Sequence, residues 1–342
     1  MKNLRLLLIP FSFLYGLVVF VRNKCYDLGI FSTYSIPKKS ICVGNLSVGG
    51  TGKTPHVDLI LSHFIEEDFN IAVLSRGYGR KTKGLLEVNS NSTAAQVGDE
   101  PLFYKLRHGE KITAIVAEER KLGVEFILNL DPKHQVTVLD DAFQHRAVKA
   151  GLNIIITEHD HLFTDDYLIP AGNLREWRSG IKRADLIIVS KCPKLSEADK
   201  GVLRKKLKFN PDAIYFSEIT YDPLCGFNSE IIPKAENILL VTGIGNPQPL
   251  LNHLAAGHSV EHLKFNDHHA FTESDIVRIH EKFDTFASRD KIIVTTEKDF
   301  MRIKDFDSVL STKDRWFYQP ITTIIDEQEK FNRLLDDYVR EI

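Results

Sequence analysis

The sharpest chemical signal in the chain is Ser47-Val-Gly-Gly-Thr-Gly-Lys-Thr54. Closely spaced glycines let backbone N–H groups converge on phosphate oxygens without obstruction by Cβ atoms. In such a loop Lys53 would reach the β- and γ-phosphates of a nucleotide, and the Thr54 hydroxyl would meet Mg²⁺. Val48, Gly49, Gly50, Thr51, Gly52, Lys53 and Thr54 are therefore expected to form a nucleotide cradle. Ser47 stands where the strict pattern has glycine, but the setting is right. A short β-branched run at 41–43 precedes the loop, and Val57, Ile60, Leu61, Phe64 and Ile65 follow at the spacing of one helix face. Pro55 is no obstacle in the first turn, where its missing N–H would have no partner.

A triphosphate cradle needs an acid at the end of a nearby hydrophobic strand, and Val136-Thr-Val-Leu-Asp140-Asp141 supplies two. In a P-loop protein such an Asp holds Mg²⁺ directly or through water. Neighbouring residues point to opposite faces of a strand, so both acids need not touch the metal. Guanine-reading proteins of this kind carry an [NT]-K-x-D motif at a later strand end. Here that place reads Val189-Ser-Lys191-Cys-Pro193, without the acid, and Thr296-Glu-Lys-Asp299 is out of frame. ATP is the expected nucleotide.

The elements that must position these groups follow from periodicity. Continuous apolar runs at 71–74, 112–116, 136–139, 152–156 and 186–190 read as buried strands, with helical text such as 118–129 between some of them. That pattern implies a mainly parallel sheet covered on both faces. A second series of strands, 238–241, 263–265 and 292–295, follows a polar stretch near 220–229. Thr272 with Asp275 opens a helix between them, and 326–339 reads as a closing helix. The expected fold class is α/β: a P-loop NTPase-like sheet, a smaller α/β C-terminal domain and an N-terminal membrane-associating helix. The boundaries are 1–25, 26–220 and 221–342.

With 342 residues, 44 Lys+Arg against 46 Asp+Glu and a net charge of -2, the chain carries no basic excess for nucleic acid. No obligate protein partner is evident. Its four cysteines, Cys25, Cys42, Cys192 and Cys225, form no C-x-x-C pair and fit a reducing compartment. His159-Asp-His161 and Asp267-His-His269 lack the spacing of a catalytic zinc site.

The run from Leu6 to Val21 is apolar, with cations on both sides and Phe11, Phe13, Tyr15 and Phe20 within it. As a helix it measures roughly 24 Å, short of the ~30 Å hydrocarbon core, and Pro10, Ser12 and Gly16 weaken it. No signal-peptide cleavage site follows. A monotopic seat in one leaflet is the favoured reading, with a true span or a buried core helix as alternatives.

Val43-Gly-Asn-Leu-Ser-Val-Gly-Gly-Thr-Gly-Lys-Thr-Pro55 resembles the opening of the tetraacyldisaccharide 4′-kinases of lipid A synthesis. The resemblance continues through Ser75-Arg-Gly-Tyr-Gly-Arg80, Val97-Gly-Asp-Glu-Pro101, Leu139-Asp-Asp-Ala-Phe-Gln-His145, Pro170-Ala-Gly-Asn-Leu-Arg-Glu176, Phe265-Asn-Asp-His-His269 and Thr296-Glu-Lys-Asp299. Ala142 stands where glycine is common, and Trp177 where proline is frequent. The resemblance implies transfer of the ATP γ-phosphoryl group to the 4′-hydroxyl of an acylated glucosamine disaccharide 1-phosphate, giving lipid IVA at the cytoplasmic face of the inner membrane. It implies Asp99 as base for the hydroxyl and His268 as its dyad partner, with Lys53 completing the catalytic set. Thr54, Asp140, Asp141 and Glu100 are the candidate Mg²⁺ residues. Arg76, Arg80, Arg175 and Glu176 are candidates for positioning substrate or phosphate, with structural ion pairing as the competing reading of each. The competing function is a membrane-associated P-loop ATPase coupled to a protein partner.

Overall fold

The computed structural model describes residues 5–130, 133–227, 235–267, 269–288 and 290–341. After a single 3₁₀ turn, helix α1 runs from Ile9–Asp27, with Pro10 in its first turn. The chain then lays down strands β1 (Lys39–Gly44), β2 (Ile71–Ser75), β3 (Leu86–Val88), β4 (Ile112–Val116), β5 (Val136–Asp140), β6 (Leu152–Glu158), β7 (Leu186–Ser190) and β8 (Ile214–Tyr221). Between them lie helices α2 (Lys53–Glu66), α3 (Asp99–His108) and α4 (Arg120–Leu130). With the late strand Ile321–Ile325 they form a nine-stranded sheet, ordered Ile321–Ile325, β8, β7, β6, β1, β5, β2, β4, β3. The β8-to-β4 pairings are parallel, and β3 is antiparallel to β4.

The sheet is buried on both faces because its strands are apolar on both. Ile41 and Val43 pack with Val57, Ile60, Leu61 and Phe64 of α2. Cys42, between them, joins Val124 and Ile127 of α4 on the opposite face. Register brings the strand ends to one level: Val43 pairs with Asp140 on one side and with Ile154 on the other, and Glu158 pairs with Ser190. In β1 the chain sits where connections diverge to either side, the place where open parallel sheets bind ligands beyond their carboxyl ends.

Two compact units emerge, residues 1–219 with 323–342, and 220–322. The closing helix, Gln328–Arg340, was assigned to the smaller domain on sequence grounds. Its Phe331 and Leu335 instead lie in the core shared by Ile41, Val57 and Ile60. The smaller unit holds a five-stranded sheet with Asn237–Thr242 between Lys291–Thr296 and Ser259–Lys264, all parallel. Thr272 and Asp275 form the anticipated capping box. Ser259–Lys264 starts earlier than the apolar text suggested, because this edge strand alternates exposed and half-buried residues.

Helix α1 narrows the choice left open by its composition. It is long and apolar enough to cross a membrane, yet only 17% of its apolar window is buried, so it is no core helix. Ser12, Gly16 and Val19 form its buried stripe. The Ser12 hydroxyl donates to the Leu168 carbonyl at 2.9 Å and accepts from the Ala171 amide. A Cβ on Gly16 would come within 2.5 Å of Leu168 and 2.7 Å of Trp177. Ser12 and Gly16, two of the residues that weaken the apolar run, are thus the ones that dock it. Phe11, Phe13, Leu14, Leu17, Val18 and Val21 face outward.

Candidate functional site

The loop from β1 to α2 carries Gly49 at φ 105° and Gly52 at φ 89°, left-handed backbone that favours glycine. No side chain caps the N-terminus of α2, so its orphan N–H groups and positive dipole end are available to an anion. The loop is fastened to its surroundings. The Val48 amide donates to the Asn173 carbonyl at 2.7 Å, and Asn45 Nδ2 donates to the Thr51 hydroxyl at 2.9 Å. His56 is buried behind the loop, and burial pushes its pKa down to about 4 despite its bond to the Gly52 carbonyl.

At the end of β5 the two acids part, as alternation requires. Asp141, at φ 49°, turns to cations: Arg175 Nη1 donates to its two oxygens at 2.8 and 2.9 Å, and Lys53 Nζ lies 3.7 Å away. Burial raises the Asp141 carboxyl, but Lys53 and Arg175 outweigh it and hold the pKa below its usual value. Burial lowers the Lys53 ammonium, with Asp141 opposing and Arg175 adding to the drop. Asp140 faces Ser75 Oγ at 3.5 Å and Tyr104 Oη at 3.3 Å. Burial, reinforced by the charges of Glu100 and Asp141, pushes Asp140 up to about 7.

That shift carries a stability signature. A carboxyl held above its ordinary 3.8 binds a proton in the folded state that the unfolded chain has released. Its contribution to stability therefore falls as pH rises from about 4 to about 7. Urea melts of the nucleotide-free protein at pH 5 and pH 7.5 are expected to show this loss, and Asp140→Asn to reduce it. An unchanged pH slope in that variant would refute the assignment.

The other expected residues divide. Asp99 and Glu100 open α3, where its dipole favours acids, and Glu100 is electrostatically coupled to Lys53, Tyr104 and Asp140. Arg76 is exposed and coupled to Arg120 and His145. Arg80 and Glu176 sit in ion pairs. The Arg80 side chain is almost fully buried, donating to Glu118 at 2.6 Å and to the Gly84 carbonyl. It braces the loop beneath Gly77 and Val97. Glu176 is 2% exposed, bound by Arg183 at 2.5 Å, Gln144 at 3.1 Å and Asn23 of α1 at 3.1 Å. Both make ion pairs of the kind weighed above as the competing reading, and Arg80 Nε and Nη1 are buried without a hydrogen-bond partner among the described residues. His268 lies outside the described residues. Asp299 of the Thr296-Glu-Lys-Asp299 run is buried within the smaller unit and bonded to the Gly243 amide, Thr296 and Arg302.

Sequence reasoning missed Tyr104 and Gln144. Tyr104, on α3 one turn beyond Glu100, bonds the Thr54 side chain as well as Asp140. Gln144 donates to the Asn45 carbonyl at 2.8 Å and accepts from Arg175 at 3.3 Å. A polar residue on an otherwise apolar helix face was the available signal for Tyr104, and its place in the Asp-Asp-Ala-Phe-Gln-His run for Gln144.

The family described as LpxK, tetraacyldisaccharide-1-P 4′-kinase, matches residues 4–340. The tetraacyldisaccharide 4′-kinase of Flavobacterium psychrophilum is 40% identical over 349 residues, covering 99% of this chain and 98% of the relative. That of Bacteroides thetaiotaomicron is 41% identical over 356 residues, covering 98% and 93%. The crystal structure of Aquifex aeolicus LpxK in complex with ATP matches with a TM-score of 0.77 at 27% identity, covering 98% of this chain and 99% of that one.

Proposed function

Since the chain belongs to the tetraacyldisaccharide-1-P 4′-kinase family, we propose that it transfers the γ-phosphoryl group of ATP to the 4′-hydroxyl of an acylated glucosamine disaccharide 1-phosphate in lipid A synthesis. The observation that carries this reading is the convergence of Lys53, Asp141 and Arg175 beside an uncapped helix N-terminus. Phosphoryl transfer asks for positioning, charge stabilisation and a base rather than covalent work. Gly52, Lys53 and Thr54 bind the phosphate tail. The Lys53 ammonium, aligned by Asp141, neutralises charge on the transferred group. Arg175 keeps that pair oriented and lies within reach of phosphate oxygens. Asp99 takes the proton from the 4′-hydroxyl as its oxygen bonds the γ-phosphorus and the bond to the bridging β–γ oxygen breaks, releasing ADP. The family resemblance implies His268 as the dyad partner of that base.

The residues fit Mg²⁺. Among the described residues no three His, Cys, Asp or Glu side chains form a cage, as suits an ion bound by one or two protein oxygens and substrate phosphates. Asp140, whose burial and acidic neighbours disfavour its charge, gains from a cation, and Thr54 and Glu100 offer further hard oxygens. Bound there, Mg²⁺ supplies positive charge to the β- and γ-phosphate oxygens.

Incubating the protein with ATP, Mg²⁺ and the acylated disaccharide 1-phosphate, followed by mass spectrometry, tests the assignment. One added phosphate on the distal sugar is expected; ATP hydrolysis that needs no acceptor would contradict it. No observation favours the partner-coupled ATPase.

A lipid acceptor places the enzyme at the bilayer surface, on the cytoplasmic side where ATP is found. The outward face of α1 is its seat. Phe13, Leu14 and Val18 are each more than 60% exposed, and each buried side chain of this size contributes about 2 kcal/mol. Replacing all three with aspartate is expected to move the protein from the vesicle fraction to the soluble fraction in a flotation assay. Undiminished flotation would refute the seat.

A further inference from the structure

Three consecutive carbonyls of the phosphate loop are held from behind by side chains of other elements. Lys191 Nζ donates to the Gly50 carbonyl at 2.6 Å and to Glu158 Oε1 at 3.1 Å. Ser190 Oγ donates to the Thr51 carbonyl at 2.7 Å. His56 Nδ1 lies 2.7 Å from the Gly52 carbonyl, and its Nε2 lies 2.8 Å from Ser217 Oγ. A carbonyl only accepts, so Nδ1 carries the proton and Nε2 accepts from Ser217. Lys191 and Ser190 come from the strand end that reads like a base-recognition motif without its acid.

From this arrangement we infer that Lys191, Ser190 and His56 are positioning residues that orient the phosphate-binding amides of the loop. A trans peptide places its C=O and N–H on opposite sides. Pinning the Thr51 and Gly52 carbonyls therefore fixes the Gly52 and Lys53 N–H groups on the opposite side, where an anion would bind. The Gly50 carbonyl held by Lys191 shares its peptide with the Thr51 N–H, which donates to the Gly49 carbonyl at 2.9 Å and closes the loop's turn. Glycines at 49, 50 and 52 leave the loop many peptide orientations, and an external clamp selects the binding one before nucleotide arrives. Preorganised donors of this kind lose no free energy to reorientation during the reaction. The backbone at Lys191 agrees with such a role. Its φ of 55° is left-handed, a conformation glycine would adopt without strain, so the residue's value lies in its side chain. Glu158 steers the ammonium and cancels its charge, leaving a hydrogen-bonding tether rather than a free cation.

The inference rests on the loop being the nucleotide site, and equilibrium binding of fluorescent mant-ATP with Mg²⁺ tests it without requiring turnover. Lys191→Met removes a charge-assisted hydrogen bond and is expected to weaken binding about tenfold. The acceptor KM and the urea midpoint should stay at parental values, and Lys191→Arg should restore most of the affinity. Glu158→Gln separates a clamp from a simple field effect. A clamp deprived of its steering carboxylate weakens nucleotide binding, whereas a field effect gains a net positive charge and tightens it. Binding by Lys191→Met within about twofold of the parent, or tighter binding by Glu158→Gln, would overturn the inference. If Lys191→Met fails to fold, Ser190→Ala carries the test, with weaker binding expected and parental affinity overturning it. Absence of phosphoryl transfer alongside intact, clamp-dependent nucleotide binding would sink the kinase reading and leave the clamp standing.

Discussion

Lys53→Ala is expected to lower phosphoryl transfer by about a thousandfold, the scale of losing one preorganised electrostatic donor at a reacting centre. The Lys53 side chain is only 14% exposed and its ammonium sits 3.7 Å from Asp141, so the variant loses both a phosphate contact and the counter-charge that balances a buried acid. Arg175 remains on Asp141 at 2.8 Å and should keep the fold intact. Single-turnover assays at saturating ATP measure the chemical step, and mant-ATP titration measures binding; both should suffer. A variant turning over within about tenfold of the parent would remove Lys53 from the catalytic set.

Asp99→Asn carries the second large effect. The substitution keeps shape and removes the basic oxygen, so kcat should fall about a thousandfold, inside the range for loss of a general base. KM for ATP should change little, since the carboxylate is assigned to the acceptor hydroxyl rather than the nucleotide. Parental turnover would return the base to an unassigned group.

What could be read from the chain alone was set by how local each signal is. The phosphate loop was legible because glycine spacing and Lys53-Thr54 encode their geometry within eight residues, and the acids because a strand end carries its own alternation. The parallel sheet followed from apolar runs that need no knowledge of their partners. Arg80 and Glu176 were not legible in this way. A charged residue next to a motif looks like part of it until its partner is known: Glu118 stands far from Arg80 in sequence, and Glu176 is held both by nearby Arg183 and by distant Asn23. The clamp on the loop was equally hidden, since Lys191 lies 141 residues from Gly50. The late return of residues 323–342 to the large sheet is a long-range pairing that periodicity cannot report.

Helix α1 is joined to the segment that carries Arg175 at several points. The Tyr15 hydroxyl donates to the Arg175 carbonyl at 2.6 Å, Trp177 Nε1 donates to the Gly16 carbonyl at 2.8 Å, and Arg22 donates to the Gln144 carbonyl. Arg175 and Gln144 meet in turn beside Asp141. The inner side of the helix thus fixes the backbone on either side of the Arg175 guanidinium, while its outward apolar side stays exposed. A displacement of the helix would therefore reach the backbone beside Asp141 through Tyr15 and Trp177.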